Sequence, residues 1–150
     1  MDAVTYPTLS VVSFIQDHMI PLRVQFDAEP WAKNFNVKWT PTIITLDYDG
    51  NEHHRTVGFL NKAELTASLL LGMAKIGFDH DQFNLALEHL NNLLTDFSTS
   101  NSVPEAIYLH GVSRYKQTHD PVALKSTYEK LRGDFPDSEW TQRAYPYRLL

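Results

Sequence analysis

The stretch Asn36-Val-Lys-Trp-Thr-Pro-Thr-Ile-Ile-Thr-Leu-Asp-Tyr-Asp-Gly50 decides how the first half of this chain is interpreted. Within it, Thr42–Leu46 is β-branched or apolar throughout and directly follows a proline, which favours a β-strand. Asp49-Gly50 suits turn positions with positive φ, so Glu52–Val57 can return as a second strand. The sequence therefore predicts an antiparallel hairpin that ends before Gly58.

The residues that precede this hairpin carry shorter and weaker patterns. Thr8 or Ser10 can cap a short helix that ends at about His18. The segment Leu22–Phe26 alternates apolar and polar residues, which predicts a strand. A short helix over 27–35 follows, opened by its proline. The predicted order is therefore helix, strand, helix and hairpin.

From Asn61 onward the pattern is helical only. Asn61 caps one long helix, and further helices are predicted over about 81–97, 104–118, 120–135 and 137–145. Leu93-x-x-Asp96-Phe97-x-x-Ser100 reappears as Leu131-x-x-Asp134-Phe135-x-x-Ser138, an offset of 38 residues (131 minus 93). Internal repeats of this size indicate helical hairpins that bury their faces by stacking on their neighbours.

Composition and charge exclude several classes of function. The 150 residues are 43% hydrophobic and carry a formal net charge of −5, with basic residues scattered, so we expect a globular protein with no nucleic-acid partner. No apolar run reaches the roughly 18 residues of a membrane span, so no membrane partner is expected. The N-terminus lacks a signal-peptide pattern and indicates a cytoplasmic protein, or a periplasmic or secreted one if an upstream signal segment is missing.

Motifs for catalysis, cofactors and metals are missing from the sequence. The chain has no cysteine, so it cannot supply the thiolate of disulfide exchange. There is no Gly-x-Gly-x-x-Gly, phosphate loop or Gly-x-Ser-x-Gly. The seven histidines do not share the two-ligand, one-face spacing of a metal site; His53 and His54, for example, are adjacent on a strand. We expect no cofactor and no metal.

These patterns resemble two known protein families. Thr40-Pro41 before an apolar strand and an Asp-Gly turn resembles the proline-led strand of thioredoxins. In the helical part, the spacing of seven residues resembles that of a tetratricopeptide repeat: Tyr108, Val112, Tyr115, Leu124, Tyr128, Leu131 and Pro136. The fold class expected from these resemblances is an α/β thioredoxin-like domain, N-terminally incomplete, at 1–77, followed by all-α tetratricopeptide-like hairpins at 78–150, with the helix from about 61 shared.

The thioredoxin resemblance implies that part of the usual domain is missing from this sequence. The opening residues Met1-Asp-Ala-Val-Thr-Tyr6 look like the tail of that family's Cys-x-x-Cys helix, so the first strand and both cysteines would lie before residue 1. That strand is central in the family's sheet and would separate Leu22–Phe26 from Thr42–Leu46. An upstream segment, a strand from another chain, or closure of the sheet could fill the gap.

Candidate binding residues also follow from the resemblances. Thioredoxins carry a cis proline at this point and pair the preceding residue with an extended peptide, which implies a peptide groove at Thr40, Pro41 and Gly58. Trp39 is either an exposed aromatic anchor or a core residue. Trp140 is expected to close the last repeat. On the inner face of the repeat, partner contacts are expected from Leu109, Ser113 and Lys116.

The leading hypothesis from the sequence is a non-catalytic protein-interaction module. It would bind an extended peptide or a partner protein, in a chaperone-like role, and its sheet vacancy would also allow a homodimer. The alternative is a thioredoxin-type disulfide oxidoreductase whose Cys-x-x-Cys lies upstream. As written the chain is not an enzyme of that type, because it has no cysteine.

Overall fold

A computed structural model describes residues 1–150 as two compact units, Met1–Thr66 and Ala67–Leu150. The division falls inside a long helix that begins at Lys62, whereas the sequence placed the domain boundary at 77/78. Each unit is described by itself below.

The first unit contains two short helices and one hairpin before the long helix begins. Its elements are α1 (Leu9–His18), α2 (Trp31–Asn34), β1 (Thr42–Leu46), β2 (Glu52–Val57) and the start of α3 (Lys62–Asp79). The predicted first helix is confirmed, and Thr8 occupies its N-cap position, but the Thr8 side chain makes no capping hydrogen bond. Leu9 is exposed and Val11 is the buried side chain. The predicted helix over 27–35 shrinks to the four residues of α2.

The predicted hairpin is confirmed with the predicted strand limits. β1 and β2 form an antiparallel, two-stranded sheet in which Thr42 pairs with Val57, with an irregularity between Thr45 and Leu46. In the connecting turn the Asp47 carboxylate accepts hydrogen bonds from the backbone N–H groups of Asp49 and Asn51, at 3.0 and 2.8 Å. Gly50 has φ +85°, the left-handed conformation for which a glycine is suited.

The predicted strand at Leu22–Phe26 is wrong. The segment is irregular, and no backbone N–H group of residues 20–26 donates a hydrogen bond within the chain. Leu22 and Phe26 are 73% and 66% exposed. The physical reason is that a strand needs a neighbour for its backbone groups, and the sheet of this unit contains only β1 and β2.

The second unit is helical throughout. After the end of α3 it comprises α4 (Phe83–Asp96), α5 (Val103–Thr118), α6 (Val122–Asp134), α7 (Glu139–Ala144) and a 3₁₀ turn (Tyr145–Leu149). Helix α5 packs against both α4 and α6. The helices predicted from the sequence are therefore confirmed, with ends that differ by at most two residues.

The two copies of the sequence repeat adopt the same local structure. Helix α4 ends where the N–H of Phe97 donates to the carbonyl of Leu93 at 3.0 Å. Helix α6 ends in the same way, with Phe135 donating to Leu131 at 2.8 Å. The repeated motif therefore encodes a helix end and the turn that follows it.

Helices α5 and α6 approach each other closely at Gly111. A β-carbon placed there would lie 1.7 Å from the Thr127 hydroxyl oxygen and 2.7 Å from the Thr127 β-carbon. The Thr127 hydroxyl is itself engaged, donating to the carbonyl of Ala123 at 2.8 Å. Gly111 is therefore required for the observed distance between the two helices.

Apolar burial differs sharply between the two units. In the first unit the only buried hydrophobic side chains are Val11 and Leu65. The second unit has a continuous set that includes Leu71, Leu90, Leu93, Ile107 and Leu131. The second unit therefore holds most of the hydrophobic core, while the first exposes much of its apolar surface. No helix combines the length and apolar character needed to cross a bilayer.

Trp140 lies at the end of the second unit in a partly buried aromatic cluster. Its ring centroid is 5.3 Å from that of Tyr108, and the Arg143 guanidinium lies 4.6 Å from the Trp140 ring. Tyr108 and Tyr147 join their hydroxyls by a hydrogen bond of 3.0 Å. This arrangement is compatible with the predicted closing role of Trp140, which stays a prediction.

Candidate functional site: the open edge of β1

The residues around Pro41 converge at the start of the hairpin. The Thr40–Pro41 peptide bond is cis. The Pro41 carbonyl accepts a hydrogen bond from the N–H of Gly58 at 2.8 Å, and the Thr42 hydroxyl donates to the carbonyl of Trp39 at 2.6 Å. Thr40, Pro41 and Gly58, which the resemblance grouped, are thus neighbours at one end of the sheet.

The Pro41–Gly58 hydrogen bond also fixes which way the strand's backbone groups point. In an antiparallel ladder, residues that exchange hydrogen bonds with the partner strand alternate with residues whose N–H and C=O point away from it. The N–H and C=O groups of Ile43 therefore point toward β2, whereas those of Thr42 and Ile44 point away from it. We call this outward side of Thr42–Leu46 the open edge of β1.

The two edges of this small sheet differ in charge. β1 reads Thr-Ile-Ile-Thr-Leu and carries no charge and no proline. β2 carries the Glu52–Arg55 ion pair at 2.6 Å, and Arg55 also donates to the carbonyl of Phe35 at 2.6 Å. Charged side chains are a common means of protecting an edge strand against further pairing. The edge of β2 therefore has such protection and the open edge of β1 does not.

The Glu52–Arg55 pair shifts the pKa of both side chains. Its hydrogen bond is the main cause that lowers the pKa of Glu52, and the same bond raises the pKa of Arg55. The shifts favour the charged forms, because each charge stabilises the other. Both groups are therefore charged at neutral pH, and β2 keeps its charge pattern there.

Large apolar side chains stand exposed at the proline end of the hairpin. Trp39 is 69% exposed and Phe59 is 61% exposed, and the Pro41–Gly58 hydrogen bond places both at the same end of the sheet. Trp39 is therefore an exposed aromatic residue and not a core residue, which decides between the two alternatives left by the sequence. Aromatic side chains in such positions are enriched among the residues that anchor protein interfaces.

The residues expected on the inner face of the repeat do not form one surface. Ser113 is fully buried, and its hydroxyl donates to the carbonyl of Leu109 at 2.7 Å within the same helix. Leu109 is partly buried and Lys116 is exposed. Only Leu109 and Lys116 can therefore offer side chains to a partner without rearrangement.

The chemistry available at the open edge is that of the polypeptide backbone. The chain has no cysteine, so no thiolate can act beside Pro41. The outward N–H and C=O groups can form hydrogen bonds with another extended strand, and the apolar side chains of β1 can contact its side chains. The arrangement therefore supports recognition of a strand without a covalent step.

Comparison with known proteins agrees with the description of the first unit. No curated protein and no solved structure is significantly similar to the chain. Residues 5–71 match the family described as thioredoxin-like domain, so the chain carries a thioredoxin-like domain followed by a helical region.

Proposed function

We propose that this chain is a non-catalytic protein-interaction module that binds an extended segment of a partner protein along the open edge of β1. The observation that carries the proposal is the contrast between the two strands. β2 carries the charged pair Glu52 and Arg55, whereas β1 is uncharged and presents the outward backbone groups of Thr42 and Ile44. An edge of this kind is a template for strand addition.

The exposed apolar surface of the first unit supports the same function. A domain that buries only Val11 and Leu65 among its hydrophobic side chains has little core of its own. A partner strand would cover part of this surface, including Trp39 and Phe59 beside Pro41. The favoured partner is therefore an uncharged segment rich in β-branched residues, because such side chains pair well across strands.

The helical region gives a second surface in the proposed module. Its repeated helix ends at Phe97 and Phe135 support a tetratricopeptide-like arrangement, in which a partner contacts exposed residues such as Leu109 and Lys116. A partner that binds both units at once would be held with higher overall affinity than either site gives alone, because the second contact is intramolecular. A chaperone-like role, in which exposed segments of other proteins are held, follows from this combination.

A peptide titration tests strand addition. The probe is acetyl-Lys-Thr-Val-Thr-Val-Thr-Val-Lys-amide. The control is the same peptide N-methylated at all six central residues, which keeps the side chains and removes the backbone donors of both edges. Calorimetry should show at least about tenfold weaker binding of the methylated peptide, because two or more hydrogen bonds of about 1 kcal/mol each are lost. Equal binding of both peptides would contradict backbone pairing.

Two proline variants locate the bound strand. Ile44→Pro removes an outward N–H group from β1, and Val57→Pro removes the corresponding outward group from β2. We expect Ile44→Pro to lose peptide binding and Val57→Pro to keep it, with hairpin amide signals confirming that both fold. The opposite pattern would place the peptide on β2. Sedimentation over a wide concentration range shows whether a second copy of the chain occupies the same edge in the absence of peptide.

A further inference from the structure

The second unit contains a groove that the sequence did not reveal. It lies between helices α4, α5 and α6 and has a volume of about 420 Å³. Its floor is apolar and is formed by Leu94, Ile107, Gly111 and Ala123. The volume falls in the range of about 300–1,000 Å³ that is typical of small-molecule sites. We call it the α4–α6 groove.

Helix α5 contributes one continuous face to this groove. Ile107, Gly111, Arg114 and Thr118 are spaced by four, three and four residues, so they lie on one side of the helix. A β-carbon at Gly111 would meet Thr127, so this glycine lets α5 and α6 pack closely where they line the groove. This face differs from the one that carries Leu109 and Lys116, so the groove is separate from the predicted inner face.

The charged residues that line the groove are Arg114, Lys130 and Asp120, so the lining carries one net positive charge (two minus one) in a chain whose net charge is −5. Arg114 is exposed and forms no ion pair with any carboxylate of the chain. On the opposite wall, Lys130 pairs with Asp134 at 2.9 Å, four residues along the same helix, with both side chains more than half exposed. Exposed ion pairs of this kind contribute little to stability, so the Lys130 ammonium can exchange Asp134 for another anion at little cost.

The Asp120 carboxylate also lines the groove and offsets one of the two positive charges. The Asp120 carboxylate accepts a hydrogen bond of 2.9 Å from the N–H of Val122 and so caps helix α6. His110 is joined to the Asn91 side chain by a hydrogen bond of 3.1 Å. Burial, and then the nearby Arg114 charge, lower the pKa of His110, so the imidazole is neutral at pH 7. The lining therefore keeps one net positive charge, and Arg114 is its cation without a carboxylate partner.

We propose that the α4–α6 groove binds a small organic monocarboxylate with an apolar body, its carboxylate between Arg114 and Lys130 and its body on Ile107 and Gly111. A planar carboxylate matches the paired N–H donors of a guanidinium, which is why arginine favours this group. The apolar floor adds affinity for the rest of the ligand. This site lies wholly in the second unit and is independent of strand binding at β1.

The test compares three probes with one apolar body, namely 4-phenylbutyrate, 4-phenylbutan-1-ol and 4-phenylbutylamine, added to the full chain. NMR amide shifts of Gly111, Thr118 and Ser126 report on the groove. We expect saturable shifts with the acid, at least tenfold weaker binding of the alcohol, and no binding of the amine. No saturation by 10 mM acid, or equal binding of acid and alcohol, would overturn the proposal.

Charge variants then identify the cations that hold the carboxylate. Arg114→Gln and Lys130→Gln should each weaken the binding of 4-phenylbutyrate, by at least tenfold for the first and by threefold or more for the second. Arg132→Gln is the matched control, because Arg132 lies on α6 outside the groove. All three side chains are exposed, so the variants should fold. Unchanged binding by Arg114→Gln, or equal weakening by Arg132→Gln, would refute the site.

Discussion

Replacement of Gly111 by alanine should destabilise the second unit, although alanine is normally the better helix residue. The new β-carbon would lie 1.7 Å from the Thr127 hydroxyl oxygen and 2.7 Å from the Thr127 β-carbon. Rotation of the threonine can move the hydroxyl but not the β-carbon, so α5 and α6 must separate. Overpacking of this kind costs up to about 3 kcal/mol, and the helix preference of alanine over glycine returns about 1 kcal/mol. We expect a net loss of about 2 kcal/mol.

A matched glycine in the next helix provides the control. Gly133 lies in α6, and a β-carbon there would meet no atom within 4 Å. Gly133→Ala should therefore keep or raise the stability, by up to about 1 kcal/mol, because only the backbone preference changes. Urea unfolding followed by the helical circular dichroism signal measures both variants.

A double variant separates the clash from other effects. Thr127→Ala removes the hydroxyl and the methyl group but keeps the β-carbon 2.7 Å away, so it should relieve only part of the cost of Gly111→Ala. Thr127→Gly should relieve most of it, which would appear as a favourable coupling energy in the double-mutant cycle. The reasoning fails if Gly111→Ala is as stable as Gly133→Ala, or if no coupling to position 127 is found.

Three further substitutions test the helix cap, the charged edge and the aromatic cluster. Asn61 accepts hydrogen bonds from two N–H groups at the start of α3, at 2.9 and 3.0 Å, so Asn61→Ala should cost about 1 kcal/mol in urea unfolding, and no loss would contradict the cap. Because the folded pKa of Glu52 lies below its usual 4.5, its pairing with Arg55 stabilises the protein above that pH, and the stabilisation is lost as the pH falls through the lower folded value. Glu52→Gln should flatten this part of the pH–stability profile, and an unchanged profile would show that the pair contributes nothing. Trp140→Ala should cost about 2 kcal/mol, less than a fully buried tryptophan, through lost contact with Tyr108; a loss below about 1 kcal/mol would contradict the closing role.

The hairpin and most helices could be predicted from the sequence because their signals are local. Asp49-Gly50 fixes the turn between two β-branched strands, and Asn61 caps α3 with its own side chain. Asp120 and Ser138 accept hydrogen bonds from N–H groups at the starts of α6 and α7, and Pro104 lies in the first turn of α5. Such elements need little information from distant parts of the chain.

The strand predicted at Leu22–Phe26 failed because strand formation is not local. Alternation predicts which residues could pair, but a strand also needs a neighbour, and the sheet of the first unit offers none beside this segment. The exposure of Trp39 is likewise not a local property, because it depends on which distant residues pack against the ring. Pattern alone left that residue undecided.

The candidate sites were only partly predictable. Thr40, Pro41 and Gly58 were grouped through a resemblance, and the hairpin register brings them together. The α4–α6 groove was missed because Arg114 and Lys130 come from different helices, and their approach depends on how α5 and α6 pack. One signal was available, namely the spacing of Gly111 and Arg114 along a single face of α5.

Hydrogen exchange of the β1 amides, measured by NMR with and without the Thr-Val peptide, tests strand addition most directly. In the free protein the outward amides of Thr42 and Ile44 should exchange fast, whereas those of Ile43 and Thr45 should be protected by β2. Bound peptide should slow Thr42 and Ile44 by at least tenfold, with a much smaller change at Ile43 and Thr45. If Thr42 and Ile44 are already protected in the free monomer, or if the peptide leaves their exchange unchanged, the open edge does not receive a strand.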